Sequence, residues 1–125
     1  MNTFQTKKNG SVRIIGGKWK KRRIRFQGGL NIRPTPNVVR ETLFNWLSNH
    51  INGANCLDLF AGSGALGVEA ISRGAQKSIL IDKERKICHD LKRNASALNA
   101  QQFEIYCAEA LHWLDRCNHK FDIVF

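Results

Sequence analysis

The sequence predicts an α/β fold: a doubly wound parallel sheet with a basic β-hairpin at its N-terminal end. Three observations predict it. From about residue 55 onward, short aliphatic runs alternate with segments of helical period, as in a sheet whose strands are joined by crossover helices. The run Leu57-Asp58-Leu59-Phe60-Ala61-Gly62-Ser63-Gly64-Ala65-Leu66-Gly67 reads as a buried strand ending in a carboxylate, a glycine turn and the opening of a helix. Ligands of such sheets sit at the carboxyl ends of the strands. Before it, Ser11-Val12-Arg13-Ile14-Ile15-Gly16-Gly17 and Arg22-Arg23-Ile24-Arg25-Phe26 alternate apolar and polar residues like two strands of a hairpin.

The elements follow in order. Gly28-Gly29 separates the hairpin from a linker, Leu30-Asn31-Ile32-Arg33-Pro34. Thr35 followed by Pro36 has the form of an N-cap with proline at the first helical position. The helix it opens places Val39, Leu43, Trp46 and Leu47 on one face and ends near His50, before the Asn52-Gly53 turn. A strand over 55–60 is followed by a helix over 65–73 stopped by Gly74, then by a strand over 77–82. A helix over 84–98 turns Ile87, Leu91, Ala95 and Leu98 inward. A strand over 103–107, a short helix over 110–117 and a strand over 121–125 complete the chain. No internal repeat or low-complexity segment is present.

With 125 residues, 42% of them apolar, the chain has room for one domain with a core, divided here into a hairpin extension over 1–30 and a sheet region over 31–125. No run approaches the ~18–20 apolar residues of a membrane span. The first eight residues lack the apolar stretch of a secretory signal. Cys56, Cys88, Cys107 and Cys117 form no Cys-x-x-Cys pair and share no ligand spacing with the four histidines. Cys56 and Cys107 fall within predicted strands, so buried reduced thiols are expected, in a cytoplasmic protein without a metal.

Charge is distributed unevenly. Residues 1–52 hold eleven Lys/Arg against the single acid Glu41, whereas residues 53–125 hold nine of each sign. Lys18, Lys20, Lys21, Arg22, Arg23 and Arg25 crowd around Trp19 and Phe26. A solvated basic face or tail is the plain alternative. The strand-like alternation argues against a tail, and cations interleaved with aromatics suit phosphate neutralisation combined with base stacking, so nucleic acid is the expected partner. Trp19 is expected either to stack on a base or to pack under the hairpin.

Three acids stand near successive strand ends. Asp58 lies four residues before Gly62, where it would repel a pyrophosphate at the turn; it suits a ligand with a cationic amine and no phosphate, and S-adenosylmethionine (SAM) is the leading candidate. Asp82, twenty residues past Gly62, stands where an acid takes both ribose hydroxyls. Glu109 follows the third strand, where an acceptor would receive an adenine amine. The alternative for each is a helix N-cap or first-turn residue.

These residues resemble a known family. Arg13-Ile14-Ile15-Gly16-Gly17-Lys18-Trp19, Arg33-Pro34-Thr35, Val39-Arg40-Glu41-Thr42-Leu43-Phe44-Asn45-Trp46-Leu47 and the run from Leu57 to Gly67 look like the bacterial 16S ribosomal RNA guanine-N2 methyltransferases, RsmD-like. The resemblance covers nearly the whole chain, in order. It implies a class I SAM-methyltransferase (Rossmann-like) sheet, with residues 31–125 as its N-terminal portion, behind the basic hairpin. It also implies methylation of the exocyclic N2 amine of one guanine in small-subunit RNA, free or in an assembling small ribosomal subunit. Carried over to this sequence, Asp58, Gly62 and Gly64 hold the methionine end with Phe60 beside them, Asp82 the ribose and Glu109 the adenine amine. Thr35 and Arg40 also face the cofactor. The basic run of the hairpin itself supplies the candidate RNA contacts, Lys18, Trp19, Lys20, Lys21, Arg22, Arg23 and Arg25.

In that family the strand matching Phe121-Asp122-Ile123-Val124-Phe125 runs on to an Asp-Pro-Pro-Phe motif, which accepts the target amine's hydrogens and stacks on the flipped base. This sequence ends before the motif, so a C-terminally incomplete sheet and a chain inactive by itself are expected. Two other classes remain: a noncatalytic RNA-binding remnant, and a nicotinamide oxidoreductase, against which Asp58 argues.

Overall fold

The computed structural model describes residues 9–27 and 32–125. The Gly28-Gly29 break, the first linker residues and the first eight residues lie outside the described residues. β1 (Gly10–Arg13) pairs antiparallel with β2 (Arg23–Phe26), setting Val12 opposite Ile24 and Arg13 opposite Arg23. The strands are shorter than expected. Gly16 and Gly17 leave the ladder, and a single 3₁₀ turn, Gly17–Trp19, carries the chain across. The Ile14 N–H donating to the Arg22 carbonyl (2.8 Å) and the Lys21 N–H donating to the Ile14 carbonyl (2.9 Å) close the hairpin. Alternation sends Val12 and Ile24 into the core and leaves Arg13, Arg23 and Arg25 outside.

α1 (Asn37–Trp46) begins one residue later than expected: Pro36 occupies the N-cap and no side chain caps the helix. Its buried face carries Arg40 and Phe44, while Val39 and Trp46 stand 51% and 76% exposed. Leu43 and Leu47 are half-buried against the core as expected, and the buried ionic contact of Arg40 turns Val39 and Trp46 outward.

The main sheet consists of β3 (Asn55–Asp58), β4 (Lys77–Asp82), β5 (Phe103–Cys107) and β6 (Ile123–Val124), all parallel, in the order β5-β4-β3-β6. Its crossovers contain α2 (Ala65–Ser72), α3 (Arg85–Ala97) and α4 (Ala110–Asp115). From β3 the chain steps outward to β4 and β5, then returns to β6 on the other side of β3. The strand order reverses beside β3, which opens a crevice at its carboxyl end.

One face of the sheet, with Cys56 and Leu80, packs under α2, α3 and the hairpin. α2 lies so close to the sheet that a Cβ on Gly67 would stand 2.3 Å from Leu80. The opposite face, with Leu57, Ile79 and Ile81, is covered by Trp113 of α4 and by Phe121. The sheet is thus wound on both sides, as predicted. The last strand is reduced to two residues, and β3 ends at Asp58 rather than Phe60. All four cysteines are free; Cys56 and Cys88 are buried, but Cys107 is exposed because β5 is the sheet's edge among the described residues.

Candidate functional site

A cleft of about 200 Å³ opens at the carboxyl ends of β3 and β4. The glycine turn forms one wall, Asp82 and Ile87 another, and the linker residues Ile32, Arg33, Pro34 and Thr35 a third. Register explains the arrangement. Asp58 pairs with Leu80, so β4 runs two residues beyond β3 and the turn folds back over its end. The Ala61 N–H donates to the Ile81 carbonyl (2.9 Å) and the Gly62 N–H to Asp82 Oδ2 (3.1 Å), while the Glu84 N–H binds Asp82 Oδ1 (3.0 Å). Asp82 therefore ties the turn to the β4–α3 corner and still faces the cleft.

Gly62 and Gly64 serve different ends. Gly62 has φ 55°, and a Cβ there would meet nothing within 4 Å, so the residue leaves open space beside the main chain. Gly64, at φ 85°, faces inward: its Cβ would stand 2.6 Å from Leu91 of α3. It seats the turn on the core and does not line the cleft. The Ser63 hydroxyl accepts the Ala65 N–H (3.2 Å), engaging one of the helix-opening donors.

Asp58 is the electrostatic centre of the site. It is 4% exposed, and among the described residues its Oδ1 accepts one hydrogen bond, from the Phe60 N–H (3.2 Å). Burial pushes its carboxyl from 3.8 up to about 6; the Phe60 N–H opposes the rise and the charge of Asp82 adds to it. A carboxylate held in a cleft with one donor is poised to bind a cation. Phe60 stands at the rim, 78% exposed.

Besides Gly64, two residues expected at the cofactor lie elsewhere. Arg40 is 1% exposed and does not line the cleft. Its Nε donates to the Thr35 carbonyl (3.0 Å), and its Nη1 to the Arg13 carbonyl (3.0 Å) and to Glu69 Oε1 (3.3 Å), with Asn37 Oδ1 taking its other nitrogen. It is a structural clamp between hairpin, linker and α2. Desolvation lowers its pKa below the ordinary guanidinium value, and the adjacent Glu69 opposes that shift. Glu69, fully buried, also accepts the Ile15 and Gly16 N–H groups (3.0 and 2.8 Å) and Arg73 Nε (2.8 Å). The sequence reading missed this hub; its signal is a single acid inside the otherwise apolar helix 65–72.

Glu109 is the second correction. Its Oε1 accepts the Leu111 N–H (2.7 Å) and the His112 N–H (3.4 Å), so the side chain caps α4. It is exposed and does not line the cleft. Thr35 and Phe60, by contrast, do line it.

On the hairpin, Trp19 is 8% exposed and stacks on Phe103 with ring centroids 6.2 Å apart, which settles its two options in favour of packing under the hairpin. Lys18 lies over its outer face at 4.8 Å. Lys18, Lys20, Lys21, Arg22, Arg23 and Arg25 are all exposed; Arg22 also reaches the Ala97 carbonyl (3.2 Å) and Arg23 the Ser11 hydroxyl (3.2 Å). The cations form a surface, while the aromatics between them are part of the packing. Among the described residues, no group of three His, Cys, Asp or Glu converges as for a metal, and no helix is long and apolar enough to cross a membrane.

Comparison with known proteins adds a lineage. The family described as conserved hypothetical protein 95 matches residues 12–125. Ribosomal RNA small subunit methyltransferase D of Buchnera aphidicola (subsp. Acyrthosiphon pisum) is 48% identical over 126 residues, covering 100% of this chain and 66% of that protein. The solved structure of yhhF from Escherichia coli is similar at a TM-score of 0.85 and 43% identity, over 93% of this chain and 64% of that one. At the level of fold alone, the C-terminal domain of precorrin-6Y C5,15-methyltransferase from Rhodobacter capsulatus matches at 0.66 and 19% identity, over 74% of this chain and 50% of that domain. The fold is that of class I methyltransferases. The chain spans less than two thirds of the length of these relatives.

Proposed function

The chain belongs to the conserved hypothetical protein 95 family, in its RsmD-like group, and from that premise we propose that it carries the cofactor cleft and an RNA-facing hairpin of a SAM-dependent methyltransferase of small-subunit (16S) ribosomal RNA. The target is the exocyclic N2 amine of a guanine, in free RNA or in an assembling small ribosomal subunit. The observation that carries the reading is Asp58: an almost fully buried carboxylate beside a glycine turn, with a single hydrogen bond from the described residues.

SAM fits these residues. Its ammonium finds a counter-charge at Asp58, and the open space beside Gly62 admits a ligand close to the main chain. Asp82 serves the ribose, and Thr35 and Phe60 border the ligand. When bound, SAM supplies an electrophilic methyl group. The chain's own residues hold and orient that donor; alignment of donor and acceptor provides much of the barrier reduction in such transfers. A dinucleotide fits poorly, because its pyrophosphate would meet the Asp58 carboxylate at the turn.

Calorimetry with SAM, its demethylated product S-adenosylhomocysteine and NAD tests the reading. Binding of the first two and none of NAD is expected. NAD binding without SAM binding would overturn it.

A further inference from the structure

Beside the cofactor cleft lies a second cavity, of about 340 Å³, and Pro34 and Thr35 wall both. Its opposite side is the outward face of the hairpin, with Ser11, Arg13 and Arg23. No carboxylate lines it. The antiparallel register places Arg13 directly opposite Arg23. Like charges facing each other across two strands destabilise a hairpin, and Val12 and Ile24, the neighbouring pair, are spent on the core.

The walls are fixed from behind. The buried Arg40 guanidinium donates to the main-chain carbonyls of Arg13 and Thr35, one on each side of the cavity, and adds a third positive charge. Its counter-ion, Glu69, is shared with Arg73. Arg23 has donors beyond the one given to Ser11 Oγ, and the Arg13 side chain makes no hydrogen bond or ion pair with the described residues. A rigid cavity with two exposed guanidinium forks and no acid is built for an anion, and the fork suits two oxygens of one phosphate.

We infer that this cavity is a phosphate-binding site for one phosphodiester of the substrate RNA, held between Arg13 and Arg23 at the threshold of the cofactor cleft. SAM carries no phosphate, so the anion comes from the RNA strand whose neighbouring nucleotide enters the cleft across Pro34 and Thr35. The inference rests on the proposed function for the identity of that strand. Bound phosphate relieves the repulsion between the two arginines, and the site selects position along the backbone rather than base identity.

The test is RNA binding by fluorescence anisotropy across a salt series, using an unmethylated small-subunit RNA fragment. Three proteins are compared: the parent, the Arg13→Ala/Arg23→Ala variant and the Arg13→Lys/Arg23→Lys variant. The alanine variant should bind about tenfold more weakly, with a log affinity–log salt slope shallower by about 1.4, from two contacts at ~0.7 each. The lysine variant should recover the slope but not the affinity, because an ammonium cannot grip two oxygens at once. Without RNA, the alanine variant should melt no lower than the parent, since relief of the repulsion offsets the lost exposed Arg23–Ser11 hydrogen bond and Arg40 bonds the Arg13 main chain. Parental affinity in the alanine variant overturns the site. Parental affinity in the lysine variant reduces it to diffuse charge and overturns it equally. SAM titration of the same parent preparation reports separately on the cofactor reading: its failure there would leave the RNA result standing.

Discussion

Replacing Asp58 with asparagine should stabilise the ligand-free protein, although the residue is central to the proposed site. Asp58→Asn preserves the shape of the side chain and the oxygen that accepts the Phe60 N–H. It removes a charge whose burial raises the folded-state pKa from 3.8 to about 6. Because the folded value lies above the unfolded one, the native state takes up the extra proton. The ionised carboxylate therefore burdens the fold increasingly as pH rises from about 4 through 6. The gap between 3.8 and about 6 corresponds to about 3 kcal/mol when fully expressed, at ~1.4 kcal/mol per pH unit. Urea denaturation of parent and variant should give the variant an advantage of about 3 kcal/mol at pH 8 and under about 1 kcal/mol at pH 4. A parent as stable as the variant at pH 8, or an advantage equal at both pH values, would refute the reasoning.

Gly62→Ala should destabilise the fold by roughly 1–2 kcal/mol through its left-handed backbone, and should weaken SAM binding by placing a methyl group in the open cleft; denaturation and calorimetry read the two effects separately. Glu69→Ala strips the buried Arg40 of its counter-ion and frees the Ile15–Gly16 segment, at about 3–5 kcal/mol by denaturation; a loss under about 1 kcal/mol would show that water replaces the hub. Incubated with labelled SAM and unmethylated small-subunit RNA, the 125-residue chain should transfer no methyl group above background, since its sequence contains no Asp-Pro-Pro-Phe. Transfer that depends on Asp58 would show that another segment accepts the amine's hydrogens.

The strand–turn–helix at Leu57–Gly67 was legible because its residues answer to local demands. An apolar run must be buried, and a positive φ at Gly62 calls for glycine. The place of Asp82 follows from the same unit, since the spacing of a βαβ crossover fixes which residue ends the next strand. What escaped the sequence depends on contacts between distant segments. Arg40 is buried because Glu69, 29 residues away, and the Thr35 and Arg13 carbonyls receive it, so counting apolar positions places Leu43 and Leu47 against the core correctly but leaves Val39 and Trp46 outside. Glu109 had two competing uses, a ligand's amine or a helix N-cap, and its Oε1 takes the bare N–H groups of Leu111 and His112. Trp19 in a basic run left open stacking on a base or packing under the hairpin, and only its contact with Phe103, distant in sequence, decides for packing. Cys107 lies in a strand as expected, but strand order, not sequence, makes that strand an edge among the described residues.

The central claim is that Asp58 recognises the cationic amine of SAM. Calorimetry with S-adenosylhomocysteine, which retains that amine, tests it most directly in parent and Asp58→Asn proteins at pH 8, with the parent repeated at pH 5. Loss of a charge-assisted hydrogen bond of about 1.5–3 kcal/mol should weaken binding by the variant roughly 10- to 150-fold. Parental affinity should also fall between pH 8 and pH 5, as the carboxylate is protonated around its raised value of about 6. Equal affinity in the two proteins, or a parent indifferent to pH across that range, would contradict the account.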